Sequence, residues 1–387
     1  MKIFFLVSRI PWPLEKGDKL RAYHQLRLLA KNNEVHLCCL SDEKTHPDAL
    51  SHLQEITPHV TIIRLSQIKI LFRLIIAALN DKPFQVHYFY QAAAARKMRK
   101  LIYAVKPDHI YCQLVRTSEY VKHLHEFRKT IDYMDALSAG YKRRVGSSGW
   151  WLKPFVREES KRLLAYENLI YEYFDHHTII SEQDRDLIMH PGRNKIEIVP
   201  NGVDREFFKP FPHNKKYDLV FTGNMSYPPN IECAKVLVEQ IMPWIWKSRP
   251  QTNLLLAGAT PDAAVNELAS ERVHVSGWMN DIREAYASSR VFIAPMRSGS
   301  GLQNKLLEAM SMEMPSITTA LASNALGFVK SDAWLVGESD EELAEMAIAL
   351  LGDEIRADEL GKNGRKFITD HFSWEKSDAI LHLLMAK

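Results

Sequence analysis

The run around position 300 has residue types and spacing suited to holding a nucleotide. Pro295-Met296-Arg297-Ser298-Gly299-Ser300-Gly301 follows an apolar run, Val291-Phe292-Ile293-Ala294, and leads into Leu302-Gln303-Asn304-Lys305-Leu306-Leu307-Glu308. Glycine carries no Cβ, so Gly299 and Gly301 let the backbone approach a ligand closely. The helix predicted over Leu302–Ser311 offers free N–H groups and a partial positive charge, both of which favour phosphate. Lys305 adds a full charge. Glu308, one turn on, can accept hydrogen bonds from two ribose hydroxyls. The chemistry implied is capture of a nucleoside diphosphate. The same spacing also fits a plainer arrangement, with Ser300 and Gln303 as a capping box and Lys305 and Glu308 as a solvated i,i+3 pair.

Other candidates lie where strand-like runs end. Gly17 follows the first such run, in a loop where a positive φ or close approach to a ligand suits glycine. Beside it, Asp18 caps the next helix or faces a ligand, and Arg21 faces phosphate or solvent. Asp135 closes the run Thr130–Met134, where a carboxylate can orient an acceptor hydroxyl or take its proton, or else cap the helix from Ala136. Gly223 and Asn224 follow Leu219–Thr222, and Pro229-Asn230 opens the next helix. Both pairs can line a phosphate and sugar site, with Asn230 as a helix N-cap the alternative. Trp278, after Gly277, is a ligand-side or a core aromatic. Lys142-Arg143-Arg144 and Trp150-Trp151-Leu152-Lys153-Pro154-Phe155 mix cations and aromatics, which suits either a lipid interface or a buried cluster.

These residues need elements to hold them. In the first half, strand-like runs occur at 3–7, 35–40, 60–65, 109–114, 130–134, 178–181 and 196–199, with helical patterns such as 19–31 and 154–174 between them. The pattern breaks at Pro200-Asn201-Gly202 and restarts. Further runs follow at 219–222, 253–257, 274–276, 291–294, 316–319 and 334–336, and helical stretches include 231–246 and 374–385. Short continuous apolar strands alternating with helices imply parallel sheets covered on both faces. The fold class expected is α/β, two doubly wound Rossmann-like domains whose ligands sit beyond the carboxyl ends of the strands, in a cleft. The expected domains are 1–200, 201–370 and a terminal helical segment, 371–387.

With 387 residues the chain is too long for one ordinary core, and 46% hydrophobic with 25% charged residues is the composition of a soluble globular protein. Net charge is +3 overall but uneven: residues 1–200 hold 31 Lys+Arg and 22 Asp+Glu (+9), leaving 19 and 25 (−6) for 201–387. The basic half suggests an anionic partner or surface. No nucleic-acid module is present, so nucleic acid is not an expected partner. Four cysteines lie in or beside apolar runs without metal-type spacing, which reads as buried thiols in a reducing compartment. Residues 1–8 run directly into a strand pattern, so no cleavable signal is expected. The longest apolar stretch, Ile68–Leu79, is too short to span a bilayer and reads as a half-buried or a membrane-touching helix.

The order of the motifs adds a resemblance. Gly301-Leu302-Gln303-Asn304-Lys305-Leu306-Leu307-Glu308-Ala309-Met310 is similar to the donor-binding signature of glycosyltransferase family 4, and nearest to its exosortase- and exopolysaccharide-associated sugar transferases. Phe5–Pro13, Lys16–Arg21, Arg157-Glu158-Glu159, Leu163–Glu167, Val199–Asp204, Phe221–Met225 and Pro229-Asn230 match in the same order. The resemblance implies the GT-B fold, with the second domain binding a nucleotide diphosphate-sugar and the first facing the acceptor. The last helix would cross back to the first domain. It further implies retention of anomeric configuration and no metal or other cofactor. Lys305 would contact the diphosphate and Glu308 the ribose. Gly17, Gly223, Asn224, Trp278, Ser298, Gly299, Ser300, Gly301 and Asn304 would complete the donor site. Asp135 and Lys305 would be catalytic, and Asp18, Arg21 and Asn230 would touch phosphate or acceptor. One departure stands out: many members carry glutamate where this chain has Ser300. The expected activity is sugar transfer to a glycan acceptor, free or lipid-linked, in the cytoplasm or on the inner membrane face. A nucleotide-sugar epimerase and a degenerate nucleotide-sugar-binding module are the alternatives.

Overall fold

The computed structural model describes residues 1–14, 16–147, 149–299, 301–327 and 332–386. The chain divides into two compact units, residues 1–200 with 375–387, and residues 201–374.

In the first unit β1 (Lys2–Val7), β2 (Glu34–Ser41), β3 (His59–Arg64), β4 (His109–Gln113), β5 (Arg128–Asp132), β6 (His176–Ile179) and β7 (Glu197–Ile198) form one sheet. Their order is β3-β2-β1-β4-β5-β6-β7, and every pairing is parallel. Its helices are α1 (Gly17–Ala30), α2 (Ala49–Gln54), α3 (Gln67–Ala78), α4 (Phe84–Phe89), α5 (Ala92–Val105), α6 (Leu137–Ser147), α7 (Lys153–Tyr171) and α8 (Glu182–Leu187). Successive side chains of a strand point to opposite faces, and β1 feeds a core on each. Phe4 and Leu6 pack with Cys38, Ile110, Met98 and Ile102, whereas Ile3, Phe5 and Val7 pack with Leu26, Leu29 and Cys39. That two-sided burial is why the strands read as unbroken apolar runs.

The second unit repeats the plan. β8 (Tyr217–Thr222), β9 (Leu254–Ala257), β10 (Val273–Val275), β11 (Ser289–Ala294), β12 (Ser316–Thr319) and β13 (Leu335–Gly337) form a parallel sheet in the order β10-β9-β8-β11-β12-β13. Around it lie α9 (Pro228–Val236), α10 (Met242–Ser248), α11 (Ala263–Asn266), α12 (Arg283–Ala287), α13 (Asn304–Ser311), α14 (Ala320–Asn324), α15 (Asp340–Gly352) and α16 (Glu354–His371). The single helix expected over 231–246 is instead α9 and α10 joined by a wider turn at Leu237–Ile241. Pro243 lies just beyond that turn and has no N–H to offer it.

The last helix, α17 (Trp374–Ala386), supplies Leu381 and Met385 to the core that holds Ile3, Phe5 and Val7. The Ser377 hydroxyl donates to the Pro200 carbonyl at 2.7 Å. All four cysteines are buried and unbridged. Burial pushes the thiols of Cys38, Cys112 and Cys233 up to about 12. Among the described residues no helix is long and apolar enough to cross a membrane. Trp150, Trp151, Leu152 and Phe155 are not a buried cluster, for all four are exposed.

Candidate functional site

In a doubly wound sheet, ligands bind where the strand order reverses, beyond the carboxyl ends of the flanking strands. In the second unit that point lies between β8 and β11. The loops leaving these strands are Gly223-Asn224 and Pro295–Gly301, so both glycine-bearing segments reach one place. Gly299 and Gly301 have φ of 107° and 72°, in the left-handed region that glycine tolerates. Ser300 lies outside the described residues.

Lys305, on the first turn of α13, donates to Asn230 Oδ1 at 2.5 Å and has Gln303 Oε1 at 3.5 Å. The ammonium also lies 5.1 Å from the Phe221 ring centroid. Burial pulls its pKa down to about 8, opposed by the charges of Cys233 and Glu308. It does not form the solvated pair with Glu308: its close partners are neutral amides, so its charge is not cancelled. Glu308 instead accepts from the Tyr286 hydroxyl at 2.9 Å, and that hydroxyl lies 2.8 Å from Thr222 Oγ1. Burial raises the Glu308 carboxyl, while Tyr286 and Lys305 pull the other way. The expected capping box falls in part on Ser300, outside the described residues. The N-cap is Gln303, and among the described residues no side chain caps α13. Its first N–H groups therefore remain suited to an anion.

Asn230 holds this arrangement. It is the third residue of α9, whose N-cap is Tyr227, so it is not the helix cap. It is buried, with Nδ2 donating to the Asn224 carbonyl at 2.8 Å while Oδ1 receives Lys305. A Cβ at Gly223 would fall 2.7 Å from that Nδ2, which explains glycine there. The side chain of half-buried Asn224 accepts from Ser226 N at 3.0 Å and Thr260 Oγ1 at 3.1 Å. Buried Ser298 donates to Glu232, and Asn304 Oδ1 accepts from Asn201 at 2.9 Å. Trp278 is not a core aromatic: it is 62% exposed, after β10 at the sheet's far edge.

In the first unit the order reverses between β1 and β4. Gly17 is not in the loop but opens α1, and Asp18 does not cap it, since the N-cap is Lys16. Asp18 accepts from Arg9 Nη1 at 2.6 Å, with Arg116 Nη2 at 3.7 Å. Burial alone would raise its carboxyl, but the two guanidiniums hold it below the usual range. Arg21 faces neither phosphate nor solvent. It is wholly buried and forks onto Asp132 at 2.7 and 2.9 Å, with a third bond to the Val199 carbonyl at 2.8 Å. Gln25 and Thr178 fill the rest of Asp132, each at 2.9 Å. Half-buried Asp135 follows Met134, whose φ of 66° turns the chain out of β5. It lies near enough for its charge to act on Arg21 and Arg116.

Comparison with known proteins places this geometry. Residues 216–353 match the family model described as glycosyl transferases group 1, a span that runs from β8 through α15 and contains the Lys305 site. An uncharacterised 44.6 kDa protein in the cps region of Klebsiella pneumoniae is 22% identical over 97% of either chain. A GDP-mannose-dependent monoacylated alpha-(1-6)-phosphatidylinositol monomannoside mannosyltransferase of Corynebacterium glutamicum is 27% identical over 62% of this chain and 70% of its own. The structure of Anabaena Alr3699/HepE with UDP and glucose superposes with a TM-score of 0.72, covering 100% of this chain and 99% of that one at 13% identity. The fold is GT-B. Together the matches support a glycosyltransferase of that fold.

Two features of this GT-B chain escaped the sequence reading. Arg9 and Arg116 leave β1 and β4 at the first unit's switch point, and burial together with Arg9 lowers the Arg116 guanidinium to about 10. Both Nε atoms are buried without a partner among the described residues. The available signal was position, a cation within three residues of a strand's carboxyl end. Asn230 was singled out, but its bond to Lys305 joins residues 75 apart in sequence and left no local trace.

Proposed function

We propose that this chain transfers a sugar from a nucleoside diphosphate-sugar to a hydroxyl of a glycan acceptor, free or lipid-linked, in the building of a surface polysaccharide. The observation that carries this is Lys305, a desolvated ammonium held by a neutral amide beside a helix terminus whose N-cap, Gln303, makes no capping bond, and a glycine-bearing loop. In the reaction the bond from the anomeric carbon to the diphosphate breaks and a bond to the acceptor oxygen forms. Negative charge grows on the leaving diphosphate, and Lys305 with the α13 N–H groups neutralises it. Glu308, oriented by Tyr286, receives the ribose hydroxyls. Asp135, beside the Arg9–Asp18–Arg116 cluster, orients the acceptor hydroxyl and takes its proton. The assignment to family 4, retention of anomeric configuration, independence of metal and work at the inner membrane face belong to this proposal. A relative from a cps region and another that acts on an acylated phosphatidylinositol mannoside favour the surface-glycan part. Thermal shift against a panel of nucleoside diphosphate-sugars tests it. A donor bound only by the folded chain raises the melting temperature, and the Lys305→Ala protein should lose that shift. Equal shifts in both proteins would remove Lys305 from the donor site. Isomerisation of donor alone would point to an epimerase.

A further inference from the structure

The first unit carries an apolar surface apart from the residues assigned to sugar transfer. On α3, Ile68, Leu71, Phe72, Ile75 and Ile76 are 70, 62, 61, 57 and 44% exposed, and Leu79 just beyond is 84% exposed. Spacing of i, i+3, i+4, i+7, i+8 and i+11 puts all six on one helical face. The opposite face anchors the helix through buried Ile70 and Ala77. A soluble helix normally faces its apolar stripe inward, and this one presents it to solvent.

A second exposed group lies close by. Trp150 and Trp151 are 84 and 67% exposed, and Leu152 and Phe155 are 37 and 44% exposed. Phe84 of α4 joins the two groups. Its ring lies 4.6 Å from that of Phe155, and the Arg162 guanidinium stacks over it at 5.0 Å. Arg162 in turn donates to the Ala77 carbonyl on the last turn of α3 at 2.6 Å. The apolar groups thus flank one aromatic residue, in a single unit.

The charge around them is basic. Exposed Lys69 borders the α3 stripe, three and seven residues from Phe72 and Ile76. Residues 140–162 hold Lys142, Arg143, Arg144, Lys153, Arg157, Lys161 and Arg162 against Glu158 and Glu159. Both acids are engaged: Glu158 pairs with Arg162 at 2.9 Å, and buried Glu159 accepts the Phe84 and Gln85 N–H groups. Exposed aliphatic and tryptophan side chains bordered by cations match a bilayer interface bearing anionic headgroups.

We infer that α3 and the 150–155 segment form one docking surface for an anionic phospholipid bilayer, with the apolar side chains entering the headgroup boundary and the flanking cations meeting lipid phosphates. The inference rests on the first unit alone and stands whether or not the transfer reading holds. Vesicle flotation of the full chain tests it, using phosphatidylcholine alone and phosphatidylcholine mixed with phosphatidylglycerol. The wild type should partition onto the mixed vesicles about tenfold or more over the neutral ones, and lose that preference in high salt. A Leu71→Glu/Phe72→Glu/Ile75→Glu protein and a Trp150→Ser/Trp151→Ser protein should each lose about tenfold or more of the binding. These side chains are exposed, so circular dichroism and melting temperature should match wild type. No binding to the mixed vesicles, or binding that survives in both variants, would overturn the inference. So would a wild-type dimer that only the α3 variant dissociates, which would assign the face to a second copy of the chain.

Discussion

Lys305 is an ammonium with neutral hydrogen-bond partners, and that gives the proposed donor site a pH dependence with a definite sign. Its free-state pKa is near 8, so the charge is present at neutral pH and is lost as pH rises through that value. Affinity for a nucleoside diphosphate should therefore be flat below about pH 8 and weaken about tenfold per unit above it. Calorimetric titration across the range checks this, and Lys305→Arg should move the break upward. A second expectation concerns Gly223. A Cβ there meets Asn230 at 2.7 Å, so Gly223→Ala should displace the amide that seats Lys305. Donor affinity should fall about tenfold, the effect of losing one charge-assisted hydrogen bond, with little change in melting temperature. The grouping of Lys305 and Glu308 was legible because loop, cation and carboxylate follow one another along a single loop and helix. The fate of Arg21 was not. Its position on α1 is equally compatible with solvent, and only the fold brings Asp132 beneath it.

The elements were easier to read than their ends. Strands buried on both faces leave continuous apolar runs, and each expected run has its strand in the structure. Helix starts were misjudged at Gly17 and Asn304 for a shared reason. Their N-caps, Lys16 and Gln303, make no side-chain capping bond, so capping patterns pointed to neighbouring residues. The Arg21–Asp132 fork ties α1 to β5, and to the segment after β7 through Val199. Breaking a fully buried pair on one side strands the other charge, at a cost of about 3–5 kcal/mol. Arg21→Ala should accordingly lower the melting temperature sharply and weaken activity only through unfolding. That contrasts with Lys305→Ala, where turnover falls while the melting temperature holds. Denaturation curves read beside turnover separate the two.

At the scale of the whole molecule, two parallel-sheet units carry different charge, +9 over residues 1–200 and −6 over 201–387. The basic unit holds the Arg9–Asp18–Arg116 cluster, and the acidic one encloses the Lys305 site. Lys305 thus stands in the unit of opposite overall charge, which keeps its positive potential local to the switch point between β8 and β11. If Lys305 and the α13 terminus neutralise the diphosphate, transfer should continue unchanged when a chelator is added. The product should also keep the anomeric configuration of the donor, read by NMR of the new linkage. The most direct test of the central claim is sugar transfer measured in wild type and in a folded Lys305→Ala protein, with the donor found by thermal shift. With Lys305 neutralising the leaving diphosphate, turnover in the variant should fall by about a hundredfold or more, the scale of losing a main transition-state charge contact, while the melting temperature stays near wild type. Wild-type turnover in the folded variant would contradict it.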